Sequence, residues 1–83
     1  MSDLSAEQIR AARGLLRWSQ EDLAEHSGVS TPTIKRLEGM ADPVSANAPT
    51  IQAIRQAMEK GGVEFLDENG GGAGVRLAKR KRK

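Results

Sequence analysis

The stretch from residue 18 to residue 39 reads WSQEDLAEHSGVSTPTIKRLEG and holds the start and stop signals of two short helices. Ser19 is a cap candidate, since the acidic residues that follow it complement the positive end of a helix dipole. Gly28 is a stop signal, because glycine readily adopts the positive φ at which many helices end. Ser30 caps the second segment, and Pro32 lies in its first turn, where a missing N–H costs nothing. The stretch therefore predicts two short helices joined by a turn at Gly28.

Another helix is predicted before this stretch. Ser5 and Gln8 have the Ser-x-x-Gln spacing of a capping box, so this helix is expected to begin after Ser5 and to end near Arg17. Arg10 and Arg17 fall off its apolar face and are expected to be solvated. The residues that recur at helical spacing and form that face are Ile9, Ala12 and Leu16.

After Gly39 the sequence predicts a loop, then a helix, and then a pair of strands. The segment from Met40 to Pro49 carries two prolines and reads as a loop, and a helix is expected to begin at Thr50 and to end at Gly61 and Gly62. Beyond it, apolar and polar residues alternate in two short segments, 63–66 and 75–77, on either side of a glycine-rich run at 67–74. This pattern predicts an antiparallel β-hairpin.

The last five residues, Lys79 to Lys83, are all cationic and are expected to form a disordered tail. Two short helices joined by a turn containing glycine are the helix-turn-helix pattern, here running from about Gln20 to Glu38. The predicted fold is mainly α: a small helix-turn-helix bundle of about four helices, followed by a short C-terminal β-hairpin and a basic tail. The predicted division is a helix-turn-helix domain at 1–62, a β-hairpin at 63–78 and the tail at 79–83.

The composition narrows the class of protein. One Trp, one Phe and no Tyr disfavour an all-β fold, which depends on aromatic packing. The absence of cysteine excludes a disulfide framework, a thiolate metal site and a cysteine nucleophile. Since a secreted domain of this size usually needs such cross-links, a cytoplasmic location is expected. No apolar run approaches the roughly 20 residues of a membrane span, so no membrane partner is expected.

Catalytic and ligand-binding interpretations find little support. His26 is the sole histidine and has no cysteine to join it in a metal site. The acids Glu21, Asp22 and Glu25 are explained by the start of a helix. The glycine run at 70–72 is not followed by Lys-Ser or Lys-Thr, so it is no phosphate-binding loop. The sequence predicts no enzyme, no catalytic residue, no metal, no cofactor and no small-molecule ligand.

A candidate DNA-reading surface lies on the helix after Ser30. Ile34 and Leu37 set its inward side, so the outward and flanking positions follow from the helical wheel. Arg or Lys on a helix in the major groove can contact guanine, and amides at a helix start can hold a phosphate. The residues predicted to contact bases are Thr31, Pro32, Lys35 and Arg36. Those predicted to contact phosphates are Gln20 and Thr33.

Each of these side chains also has a plainer interpretation. Lys35 and Arg36 could form an ordinary solvated face. Thr31 and Thr33 could serve the hydrogen bonds of a first helical turn. Gln20 could reflect only the polarity that is typical of a helix start.

The stretch closely resembles the XRE-type family, which comprises Cro-like and phage-repressor-like helix-turn-helix proteins. The resemblance covers about residues 5–60 and rests on Gln20, Leu23, Ala24, Gly28, Val29, Ser30, Ile34, Leu37 and Glu38. It implies a sequence-specific transcription regulator that binds double-stranded DNA as a dimer. It also implies an ion pair between Arg13 and Glu38, and it supports base contacts by Thr31, Pro32 and Arg36. The family's usual fifth helix is replaced here by the predicted hairpin.

The main functional hypothesis is a repressor that binds a palindromic operator as a homodimer. Two strands alone are marginal in water and their edges invite pairing, so the hairpin is expected to make or support the dimer. A dimer also shares its two-fold symmetry with a palindromic site. The alternative is a protein-interaction module, such as an antitoxin-like partner, built on the same scaffold.

Overall fold

The computed structural model describes residues 4–40, 48–66 and 73–78. Within them lie the helices α1 (Ala6–Leu16), α2 (Gln20–Ser27), α3 (Thr31–Glu38) and α4 (Ala48–Gly61), then the strands β1 (Val63–Leu66) and β2 (Gly74–Leu77). The strands pair antiparallel, with Val63 opposite Leu77 and Leu66 opposite Gly74. The predicted fold of a mainly α bundle followed by a β-hairpin is confirmed. The predicted loop at 41–47, the glycine-rich turn at 67–72 and the basic tail at 79–83 lie outside the described residues.

Side chains at the helix starts satisfy the backbone N–H groups that a helix leaves unpaired. Ser5 Oγ accepts from the N–H of Gln8, and the Gln8 amide oxygen accepts from the N–H of Ser5, both at 3.0 Å. Ser19 and Asp22 form a second reciprocal pair, with both distances at 2.9 Å. Gly28, at φ 79°, then ends α2 in the left-handed conformation. These local contacts explain why α1 and α2 begin and α2 ends where the sequence predicts.

Helix α4 begins at Ala48, two residues before the predicted Thr50. The prediction left Pro49 in the preceding loop. Proline is tolerated in a first helical turn, because its missing N–H has no intrahelical acceptor there and its φ already suits the helix. Pro49 therefore belongs to the start of α4.

One apolar core joins all four helices and the hairpin. Its largest fully buried side chains are Leu4, Ile9, Leu23, Ile34, Leu37, Ile54 and Met58. Val63 and Phe65 extend it from the inner face of β1. Since the core holds Ile34 and Leu37, the opposite side of α3 is turned to solvent.

Gln8 ties the hairpin to α1. Its side-chain Nε2 donates to the backbone oxygens of Leu66, at 3.3 Å, and Gly74, at 3.0 Å. These residues are opposite each other at the turn end of β1 and β2. A two-stranded sheet gains little stability from its own pairing. The buried Gln8 amide therefore holds both strands against the bundle.

Replacing Gln8 by leucine is expected to loosen the hairpin by removing both donor contacts while filling a similar volume, and it also removes the cap bond from the Ser5 N–H. Each lost hydrogen bond leaves a carbonyl to find another donor, so we expect a loss of about 1–3 kcal/mol in the free energy of unfolding. Hydrogen exchange of the Ala78 amide, which donates to Gly62 O at 2.7 Å, reports on the hairpin. Ser5→Ala, which removes the cap hydroxyl but keeps both Gln8 donor contacts, should leave that protection intact. Equal protection in Gln8→Leu and wild type would contradict the prediction.

Candidate nucleic-acid interface

Helix α3 presents a polar, cationic side to solvent. Ile34 and Leu37 are 0% and 1% exposed, so they anchor its inner side in the core. Pro32, Lys35 and Arg36 are exposed on the outer side. Neither cation forms an ion pair within residues 4–40, 48–66 and 73–78. Two exposed cations on a helix whose inner side is packed in the core are free to contact an external anion.

The flanking threonines of α3 are half-buried. Thr33 takes part in the helix cap: the Ser30 hydroxyl donates to Thr33 Oγ1 at 3.0 Å and accepts from the Thr33 N–H at 3.4 Å. The Thr33 hydroxyl hydrogen is still available for an external acceptor, because a hydroxyl both donates and accepts. Thr31 is the first residue of the same helix, next to the exposed Pro32.

Arg13 and Glu38 join α1 to the end of α3. Arg13 Nε donates to Glu38 Oε2 at 2.7 Å and Nη2 donates to Oε1 at 2.9 Å, a bidentate arrangement. Arg13 Nη1 also donates to the carbonyl oxygen of Trp18 at 3.1 Å. The side chain of Glu38 is 5% exposed and that of Arg13 is 21% exposed. One guanidinium thus fixes α1, the turn before α2 and the last residue of α3.

The pair is charged in the folded protein. Burial by itself raises the pKa of Glu38, but the hydrogen bonds from Arg13 and Gln20 outweigh burial, and the net pKa lies below the ordinary glutamate value. The hydrogen bond to Glu38 raises the pKa of Arg13 above its ordinary value. Glu38 is therefore a carboxylate at neutral pH, and its negative charge is compensated inside the bundle.

Gln20 contacts the same carboxylate. Its Nε2 donates to Glu38 Oε1 at 3.0 Å, which joins the start of α2 to the end of α3. A glutamine amide has two N–H groups and one oxygen. One N–H is engaged with Glu38, so the other N–H and the oxygen are left for an external contact. The structure thereby holds the Gln20 amide in a defined place beside α3.

Arg10 has a role that the helical wheel does not predict. Its Nη1 donates to the backbone oxygen of Glu38, although the side chain is 47% exposed. That oxygen belongs to the last turn of α3, where backbone carbonyls lack intrahelical donors. The sequence indicates this role only through the spacing of Arg10 from Arg13, since residues three apart on a helix share a face. Arg10 and Arg13 together hold the C-terminal end of α3.

His26 stacks on Trp18, with ring centroids 4.2 Å apart and planes 4° from parallel. The stack packs the end of α2 against the turn that precedes this helix. Across the described ranges, no group of three or more His, Cys, Asp and Glu side chains could hold a metal ion. None of the described helices is long and apolar enough to span a membrane.

Comparison with a protein-family model agrees with this geometry, whereas no curated protein matched the sequence. A family model described as helix-turn-helix matches residues 9–64, from α1 through to β1 and more than half of the chain. The match includes α2, α3 and the residues that hold them together. The chain belongs to the XRE-type helix-turn-helix family, which makes it a DNA-binding protein of the kind that regulates transcription.

Proposed function

We propose that this protein is a cytoplasmic repressor that binds a palindromic operator in double-stranded DNA as a homodimer. The observation that carries the proposal is the outer side of α3, where Lys35 and Arg36 are exposed and have no ion-pair partner among the described residues. The inner side of the same helix is buried in the core, and its C-terminal end is held by Arg10 and Arg13 of α1. A rigid helix with free cations suits the major groove, which admits one α-helix.

The roles on α3 follow from position and chemistry. Arg36 reads guanine through its two parallel N–H groups, and Lys35 contacts the acceptors of a neighbouring base. Thr31 and Pro32, at the N-terminal end, lie close to the groove floor, where a methyl or ring carbon meets the methyl group of thymine. These four residues choose the sequence.

Gln20, at the start of α2, and Thr33, in the first turn of α3, contact phosphates of the DNA backbone. The free N–H of the Gln20 amide donates to a phosphate oxygen, and the Thr33 hydroxyl donates its remaining hydrogen. Such contacts position the protein without distinguishing bases. Gln20 is held by its hydrogen bond to Glu38, at the end of α3. Its phosphate contact therefore also sets the distance between the DNA backbone and α3.

Among the described residues β2 pairs with β1 alone, and its other edge supplies the dimer contact. Ala78 donates to Gly62 O, and in an antiparallel ladder hydrogen-bonded pairs alternate with non-bonded pairs. The pairing register then makes Val75 and Leu77 non-bonded residues, whose N–H and C=O groups point away from β1. Leu77 is also 52% exposed. An edge strand of this kind invites pairing with a second copy.

Charging this edge is expected to shift the protein from dimer to monomer. In Leu77→Lys an ammonium replaces an apolar side chain at the strand edge, which is a common way to block edge pairing. Light scattering at micromolar concentration should give a dimer for the wild type and a monomer for the variant. Gln56→Lys, which adds the same charge on an exposed position of α4, should stay dimeric. A wild type that is monomeric both alone and on DNA would refute the dimer.

Binding selection tests the function directly. The wild type is incubated with a random-sequence duplex library, and the bound fragments are sequenced; we expect enrichment of an inverted repeat. A gel shift with DNA from the protein's own promoter region, with and without excess nonspecific DNA, should show a complex that resists the competitor. The protein-interaction alternative predicts no enriched sequence and a complex that the competitor removes, and either result would overturn the proposal.

A further inference from the structure

A groove lies between the end of α2 and α4. Its volume is about 520 Å³, and small-molecule sites in proteins span about 300–1,000 Å³. None of its described lining residues belongs to α3 or to the residues that we place on DNA. The sequence gives no sign of this groove, because α3 separates its two sides in the chain. The described residues that line the groove are His26 and Ser27 of α2 and Ala53, Gln56, Ala57, Glu59 and Lys60 of α4.

Two alanines supply the apolar part of the lining. Ala53 and Ala57 lie four residues apart, so they share one face of α4. Ala57 is 7% exposed and belongs to the core, and Ala53 is half-buried. Each side chain ends at Cβ, which leaves room for a ligand between α2 and α4.

His26 adds a flat surface to the groove. One face of its imidazole ring is covered by Trp18, since the two rings are stacked with centroids 4.2 Å apart. The groove is therefore lined by the other face of the ring or by its edge. Aromatic rings attract one another in offset-stacked and in edge-to-face arrangements. A flat ring in the groove can contact His26 in either way.

The polar part of the lining favours an anion. Lys60 is exposed and has no ion pair within the described ranges. The Ser27 hydroxyl accepts from the N–H of Val29 at 3.1 Å, which leaves its hydrogen to donate. The carboxylate of Glu59 pairs with Arg55 Nε at 3.3 Å. A negatively charged ligand thus meets one unpaired cation and no unpaired carboxylate among the described lining residues.

We propose that this groove is a binding site for a small aromatic carboxylate. The carboxylate group pairs with Lys60, and Ser27 and Gln56 supply further donors. The ring of the ligand lies on the two alanines and against His26. The site gives the protein a second binding activity beside the proposed one, because the ligand and DNA contact different residues.

The expected affinity is modest. The C-terminal ends of α2 and α4 carry partial negative charge, which opposes an anion. An exposed ion pair contributes little by itself. For a probe as small as benzoate we therefore expect a Kd of about 1 mM.

Benzoate is the probe, and benzamide is its neutral counterpart of the same shape. Each is titrated into the isotope-labelled full-length protein, and binding is followed by NMR. Benzoate should shift the amide signals of residues 26, 27 and 53–60. It should also shift the indole N–H signal of Trp18, the only tryptophan in the chain. Benzamide lacks the charge and should bind about twofold to fivefold more weakly.

Three variants separate location, charge and folding. Ala53→Leu fills the groove and should abolish the benzoate shifts. Lys60→Gln should weaken benzoate about twofold to fivefold and leave benzamide unchanged. Arg76→Gln is the matched control, because it removes an exposed cation that lies on the hairpin and not in the lining; it should keep the wild-type affinity for benzoate. Melting temperatures show that each variant is folded.

Several results would overturn the inference. One is the absence of benzoate shifts at the groove up to about 20 mM, well above the expected Kd. Another is equal affinity for benzoate and benzamide, which would remove the role of Lys60. Wild-type affinity in a folded Ala53→Leu would place the site elsewhere, and an equal loss in Arg76→Gln would indicate net charge. Selection of DNA is measured separately, so either proposal can fail without the other.

Discussion

Replacing Arg13 by alanine is expected to lower the free energy of unfolding by about 2–3 kcal/mol. The reason is the Glu38 carboxylate, which is 5% exposed and would lose its bidentate partner while remaining inside the bundle. Removing one partner of a fully buried pair typically costs about 3–5 kcal/mol, and the partial exposure of Arg13 reduces that value. Urea unfolding of the wild type, Arg13→Ala, Glu38→Ala and the double variant should give a coupling clearly above about 0.5 kcal/mol.

The hairpin provides a matched control for this cycle. Arg76 and Glu64 are 3.0 Å apart, a distance similar to that of the Arg13 pair, but their side chains are 62% and 48% exposed. Exposed pairs contribute little, so the cycle of Arg76→Ala and Glu64→Ala should give a coupling below about 0.5 kcal/mol. Strict additivity of Arg13→Ala and Glu38→Ala would show that the buried pair does not stabilise the fold.

Acid provides a second readout of the same pair. The pKa of Glu38 is lower in the folded protein than in the unfolded chain. The stability that it contributes is therefore present above the unfolded pKa, about 4.3, and is lost as the pH falls through the folded pKa. Between pH 7 and pH 3, Glu38→Gln should lose less stability than the wild type. An equal loss would place the acid sensitivity on other carboxylates.

Replacing Arg36 by alanine is expected to relax base preference at one position of each half-site. An arginine that donates to O6 and N7 of guanine discriminates against the wrong base by about 1–3 kcal/mol, which corresponds to roughly fivefold to more than a hundredfold in affinity. Arg36 is exposed, and the α3 backbone beneath it is anchored by Leu37, so the substitution should not disturb the fold. Binding selection at one fixed salt concentration, on wild type and variant, measures the change in the selected motif.

Gln20→Ala is the companion variant for that selection. Loss of a phosphate contact should weaken binding to all sequences about equally, because phosphates look the same beside every base. The melting temperature must be measured as well, since the variant also loses the hydrogen bond to Glu38. If Arg36→Ala kept the wild-type motif while Gln20→Ala altered it, the two roles would be reversed. The helix would then enter the groove in another register.

The sequence predicts the orientation of some interface residues but not the contacts of others. The outward direction of Lys35 and Arg36 follows from Ile34 and Leu37, because the helical period relates all four within one short helix. The network around Glu38 is different. Its proximity to Arg13 was implied only by family resemblance, and its contacts with Gln20 and Arg10 span sequence separations of 18 and 28 residues. Local periodicity carries no information at that range.

The sequence by itself determined the helices, their caps, the hairpin and the family. Caps join residues about three positions apart, and the burial of one face follows the spacing of apolar residues, so both depend only on the order of neighbouring residues. Only the tertiary structure decided the second role of Gln8, whose amide reaches carbonyl oxygens 58 and 66 residues away. It also decided that the end of α4 packs against Leu16 and Trp18, and that Ala78, after β2, donates to the Gly62 oxygen. Such contacts arise when the apolar faces pack, because close packing sets which surface residues become neighbours.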